Sequence, residues 1–188
     1  MGVSILLGLV MILGVVGLII YFVTVRNGLV RLRHESEKAW ADLDPLLKQR
    51  ADELPKLAGI CRGYMPSEQK TLQPVAAART AFMKAATVEE KAQADSLISD
   101  ALKTLYAVAE KYPDLKADAS FRQLRGRISA LEEESAAQRH RFNASVHAFN
   151  ARLARIPANL VAAFMHFQLH ALFQVAESDH EGAQAKPD

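Results

Sequence analysis

Residues 3–25 form one unbroken apolar run, rich in Leu, Ile, Val and Gly and without a charged side chain. At ~1.5 Å per residue, a helix of this length covers the ~30 Å hydrocarbon core of a bilayer. The run predicts a transmembrane anchor over residues 1–26. A secretory signal would start with positive charge, carry a shorter apolar core and end in a small-residue cleavage pattern. Met1-Gly2-Val3-Ser4 has no positive side chain, and no such pattern follows the run.

After Arg26 the pattern changes to a helical period. Leu29, Leu32, Ser36, Ala39, Leu43, Leu47, Arg50, Leu54 and Leu57 recur at steps of three and four. Only Asn27-Gly28 separates this row from the anchor, so the two are expected to be one helix, kinked by Pro45 and Pro55 and stopped near Gly63. A shorter helix is expected over residues 72–86, with Ser67 as a cap and Pro74 near its start. Thr87-Val88-Glu89-Glu90 has the capping-box spacing and opens a third helix, with Leu97, Ala101, Leu105 and Val108 on its buried face. Ser120 and Gln123 repeat the box before a fourth helix to about Arg155. Its core row is Phe121, Leu124, Ile128, Leu131, Ser135, Gln138, Phe142, Val146, Phe149, Leu153 and Ile156. Two long and two shorter helices joined by short loops predict an antiparallel up-and-down four-helix bundle over residues 27–156. The fold class is therefore all-α.

Pro157 opens a stretch that carries no formal charge up to Ala176, and an apolar, amphipathic helix is expected over residues 157–177. On its wheel Asn159, His166, His170, Gln174 and Glu177 share one face, and Leu160, Val161, Phe164, Met165, Leu169, Leu172 and Phe173 cover most of the rest. Residues 178–188 are polar and are expected to be a disordered tail.

Charge sharpens this picture. All 23 Lys and Arg and all 21 Asp and Glu follow the apolar run, and the net charge is only +2. A near-neutral domain lacks the basic excess of a nucleic-acid binder. Arg26, Arg31, Arg33 and Lys38 flank the run on one side only, which predicts an outside N-terminus and a cytoplasmic domain at the inner membrane. Ser4 and Gly8 form a small-xxx-small pair, with Gly14 and Gly17 further on, and predict self-association.

The ordered motifs are similar to those of the LemA family of bacterial membrane proteins. They are Asn27, Leu29-Val30 and Leu32-Arg33, then Ala39-Trp40 and Asp42-Leu43-Asp44, then Leu47-Lys48, Arg50, Asp52, Leu54-Pro55 and Gly63-Tyr64. Ala78-Arg79, Tyr112-Pro113-Asp114-Leu115-Lys116-Ala117, Phe142-Asn143 and Phe149-Asn150 continue the series, which covers roughly residues 1–165. The resemblance implies a four-helix up-and-down soluble domain behind an N-terminal anchor, with no assigned chemistry.

Candidate chemistry is sparse. His166 and His170 stand at i and i+4 of the expected helix, but no Glu lies between them as in a zincin. Cys61 has Arg62 beside it but no paired histidine motif, and reads first as a small buried hydrophobe. Glu132-Glu133-Glu134 and Glu89-Glu90 read as solvated helix faces. Asp42, Asp44, Lys48, Arg50 and Asp52 suggest i,i+4 ion pairs such as Asp44 with Lys48.

No catalytic residue, cofactor or metal ligand is expected. The interaction candidates are Trp40, Asp42, Asp44, Arg50, Phe164, Phe167, Leu172 and Phe173. A membrane-surface collar is expected from Arg26, Arg31, Arg33, Arg152 and Arg155. The expected partners are the lipid bilayer, other copies of the chain and an unidentified membrane protein, with no nucleic acid. The reading is a membrane-anchored interaction or scaffolding protein. The alternative is an accessory subunit or a divergent metal-dependent hydrolase using His166, His170 and carboxylates.

Overall fold

The computed structural model describes residues 2–174, with the side chains of residues 3–5 left out. The tail expected over residues 178–188 lies outside the described residues, as do Val175 to Glu177 of the expected last helix. Among the described residues every regular element is helical: α1 (Gly2–Tyr64), α2 (Gln69–Lys84), α3 (Val88–Ala109), α4 (Pro113–Ala117), α5 (Ala119–Ala154) and α6 (Ala158–Phe164). The all-α expectation holds.

The apolar run and the first soluble helix are one element, α1, of 63 residues. It passes through Pro45 and Pro55, both of which face solvent. α2 begins earlier than expected, at Gln69, so Pro74 lies inside it. Its N-cap position is Glu68, not Ser67, and makes no side-chain cap bond. The Thr87 box forms in full: Thr87 Oγ1 accepts from the Glu90 amide at 3.1 Å, and Glu90 Oε2 accepts from the Thr87 amide at 3.2 Å. The box expected at Ser120 does not form. Asp118 takes that place, accepting the Phe121 amide at 2.8 Å, because the short helix α4 ends at Ala117 and leaves Asp118 extended.

The contacts divide the chain into two units. One consists of residues 41–140 with 171–174. In it α1 pairs with α5 through Glu53 with Arg127, and Tyr64 reaches Asp118 just before α5, so one number rises as the other falls and the two run antiparallel. α1 meets α3 through Asp44 with Lys91 and Arg50 with Asp95, a parallel pairing. With α2 descending between them, this is the up-down-up-down arrangement. Its core includes Leu47, Leu54, Leu57, Met65, Ile98, Leu105, Leu115, Phe121 and Ile128. Leu97, expected inside, is exposed, and Ile98 and Leu102 fill the interior instead.

The other unit joins residues 1–40 to 141–170. Val25 and Leu29 of α1 pack with Phe149 and Leu153 of α5 and with Ala158, Val161 and Ala162 of α6. Ile156, the last residue of the expected α5 row, is exposed.

The last helix is much shorter than its pattern suggests. α6 ends at Phe164, and residues 167–174 are not helical. The stop is a Schellman turn: the Phe167 amide donates to Ala162 O at 3.0 Å and the His166 amide to Ala163 O at 3.2 Å. His166 takes the left-handed position with φ of 56°. Glycine normally fills that site, although histidine is among the side chains that tolerate it.

Candidate functional site

Two arrangements stand out, one in each unit. In the unit of residues 1–40 and 141–170, the apolar part of α1 has no protein cover. Leu6 to Ile20 present their large side chains outward, and no part of the most apolar window is buried. Cover begins at Phe22, whose ring meets Phe164 edge-on at 6.1 Å, and is complete at Val25 and Leu29. α6 supplies that cover with Ala158, Val161 and Ala162, spaced i, i+3 and i+4. Its opposite face is equally apolar yet open: Leu160 is 69% exposed and Phe164 76%, with Ile156 just before them at 82%.

The chain after α6 is held by polar contacts. Asn150 donates through Nδ2 to His170 O at 2.8 Å and accepts the His170 amide at 3.0 Å. The His170 ring stacks on Phe149 at 4.6 Å, and its Nδ1 lies 3.0 Å from Ser36 Oγ. Burial pushes the His170 imidazole below its ordinary value; Arg33 adds to this and Glu37 opposes it. Phe167 packs edge-on against Phe149 at 6.2 Å, and Trp40 lies 5.3 Å from Phe142. Phe167 and Trp40 are therefore half-buried packing residues.

In the other unit four charges close a ring. Arg50 Nη1 binds Asp95 Oδ1 at 2.6 Å. Arg139 Nη1 binds Asp95 Oδ2 and Arg139 Nη2 binds Glu132 Oε1, each at 3.0 Å. Glu132 Oε2 returns to Arg50 Nη2, which also donates to Ser99 Oγ at 3.0 Å. Two positive and two negative groups cancel, and each carboxylate oxygen meets a guanidinium, which is how buried charge is tolerated. Burial pushes the Asp95 carboxyl up, while Arg50 and Arg139 pull it down. The Phe173 ring lies 6.0 Å from the Arg139 guanidinium and is itself buried.

These positions revise several expectations. Arg50 and Phe173 are interior residues, not surface anchors, and Leu172 is half-buried. Asp44 pairs with Lys91 of α3 rather than with Lys48 on its own helix. Asp42 is exposed. Glu132 turns inward to the ring, whereas Glu133 and Glu134 are exposed. In the expected collar Arg31 and Arg33 are neutralised by Glu35 at 2.9 Å and Glu37 at 2.7 Å. Arg26, Arg152 and Arg155 remain exposed. Cys61 is buried, and burial pushes its thiol up to about 11. His166 and His170 do not converge, because the helix that would align them ends at Phe164. Among the described residues no three His, Cys, Asp or Glu side chains form a metal-binding group.

The residues that sequence reasoning missed are Asp95, Glu132, Arg139 and Asn150. A signal was available for the ring, because Arg50 interrupts an otherwise apolar row and a buried arginine requires carboxylates. Asn150 gave none, since its partner is backbone.

A LemA family model matches residues 39–186. The chain belongs to the LemA family. It is 32% identical over 166 residues to Protein LemA of Metamycoplasma hominis (strain ATCC 23114 / DSM 25592 / NBRC 14850 / NCTC 10111 / PG21), covering 85% of this chain and 74% of that one. The family match extends past residue 165, where the motifs alone ended, and so takes in the C-terminal segment that carries His170 and Phe173. Asn150 and Arg50 both lie within the LemA region, as does the whole charge ring.

Proposed function

We propose that this LemA family protein is a membrane-anchored interaction or scaffolding protein, held in the bilayer by the first part of α1. The observation that carries the reading is the bare apolar surface of residues 6–20. A core helix of comparable hydropathy would be covered by its own protein, and this one is not. Removal as a signal is disfavoured, because the same helix continues directly into Val25 and Leu29, which are core residues. The one-sided positive flank from Arg26 onward supports a cytoplasmic bundle at the inner membrane. Self-association through Gly8, Gly14 and Gly17 is compatible with their surroundings, since a Cβ built at each meets no atom within 4 Å.

Alkaline carbonate extraction of bacterial membranes containing the full chain tests the anchor. The protein should stay in the pellet, and Leu9→Arg with Leu13→Arg should move it to the supernatant. Extraction of the unaltered chain would refute the reading. Crosslinking in intact membranes then tests the interaction role. Recovery of only uncrosslinked monomer at saturating reagent would count against a scaffold.

A further inference from the structure

We propose that α6 is a second membrane element, lying at the bilayer surface with Ile156, Leu160 and Phe164 in the outer acyl region and Arg26, Arg152 and Arg155 at anionic headgroups. The proposal rests on the anchor reading above and adds a contact that the anchor does not require. α6 carries apolar side chains on both faces. One face, Ala158, Val161 and Ala162, is used on Val25 and Leu29. The other, Leu160 and Phe164 with Ile156 before it, is open.

Continuity with the anchor identifies what covers the open face. Phe164 touches Phe22, which belongs to the same apolar run as the bare residues 6–20. The open face therefore begins at the depth where protein cover of α1 begins. Tyr21, exposed beside Phe22, is the kind of amphipathic ring that settles at the headgroup level. Arg26 follows Phe22 by four residues, about 6 Å along the helix, which is the offset from acyl boundary to headgroup. Arg26, Arg152 and Arg155 are exposed, and none is in an ion pair among the described residues. Exposed apolar side chains next to exposed cations, as at Ile156 and Arg155, are the recognition chemistry of an anionic lipid surface. A water-soluble partner would not require the patch to be level with the end of the span.

The test uses the full chain in vesicles of phosphatidylcholine and phosphatidylglycerol. Single cysteines are introduced as Leu160→Cys, Ile156→Cys, Leu13→Cys and Lys103→Cys and labelled with the fluorophore NBD. Cys61 is buried and its thiol is pushed up to about 11, so labelling at neutral pH goes to the new site. Positions 156 and 160 are both exposed, so either variant keeps the fold, which circular dichroism checks. The expected result is severalfold stronger quenching at positions 160 and 156 than at 103 by lipids carrying a nitroxide near the headgroup, with weak quenching by iodide. Strong iodide quenching at 160 and 156, with position 13 still quenched by lipid nitroxide, overturns the proposal and leaves the anchor standing. Protection of 160 and 156 from both quenchers overturns it in favour of a second copy or another protein on this face. Absence of lipid quenching at position 13 overturns the anchor and this proposal together.

Discussion

The two units treat polar and apolar groups in opposite ways. Residues 41–140 bury charge: Arg50 is 3% exposed and sits among Asp95, Glu132 and Arg139, inside a bundle whose large apolar side chains are mostly covered. Residues 1–40 with 141–170 leave large apolar side chains bare from Leu6 to Ile20 and again at Ile156, Leu160 and Phe164. Each such side chain in water forgoes roughly 1.5–3 kcal/mol of burial energy. The bundle has a mostly apolar interior with a charge network set into it. The other unit has surfaces that water does not suit. The difference teaches that the environment of a helical protein is recorded in what its surface leaves unburied, even when the interior follows ordinary rules.

Removing a charge from the bundle and a ring from the other unit should have comparable large effects by different causes. Asp95→Ala leaves Arg50 buried without its main partner and should cost ~3–5 kcal/mol. Phe149→Ala removes a fully buried ring from the second core and should also cost ~3–5 kcal/mol. Urea unfolding in detergent checks both. The causes separate in a second step: replacing Arg50, Asp95, Glu132 and Arg139 together by Met or Leu should recover most of the first loss. A variant that stays as unstable as Asp95→Ala would mean that the ring contributes net stability.

A smaller effect is expected from Asn150→Ala, which breaks two hydrogen bonds to His170 and should cost ~1–2 kcal/mol, felt locally. Hydrogen exchange at the His170 amide should accelerate, while amides at Ile98 and Leu105 of the bundle should not change.

Acid should act on the same residue through its ring. The His170 pKa is lowered in the folded protein, so the folded state holds the neutral ring more readily than the unfolded chain does. Its contribution is present above the ordinary value of 6.5 and is lost as pH falls below it through the folded value. Arg33 and Glu37 of α1 are the charges that act on the ring, Ser36 Oγ and the Phe149 ring are its neutral neighbours, and Asn150 binds only the His170 backbone. Exchange protection over residues 165–170 should drop between pH 7 and pH 5, and protection that rises on acidification would reverse the sign. The smallest effect belongs to His166→Gly. It relieves a left-handed φ at the end of α6 and should stabilise that end by up to ~1 kcal/mol, seen as a higher melting temperature.

What the sequence made legible follows from which interactions are periodic. The α5 row from Phe121 to Leu153 is buried nearly throughout, and Thr87 with Glu90 forms its box, because helix period and capping are local rules. The ring was not legible, since Asp95 and Arg139 are ordinary exposed-type residues until the fold brings them to Arg50. The end of α6 was missed for a related reason. The apolar wheel continues to Phe173, but the Schellman turn at His166 outcompetes it, and Phe173 packs beside Arg139 in the other unit's core. A periodic pattern reports which side chains seek cover, not whether a helix or an extended segment delivers them.

The contrast between the units is tested most directly by a carbene reagent dissolved in the lipid phase, activated by light on the unaltered full chain in bilayers and mapped by mass spectrometry. Labelling should concentrate in residues 6–20 and appear again in residues 156–164, with residues 41–140 unlabelled. Label spread evenly over both units, or missing from residues 6–20, would contradict the account.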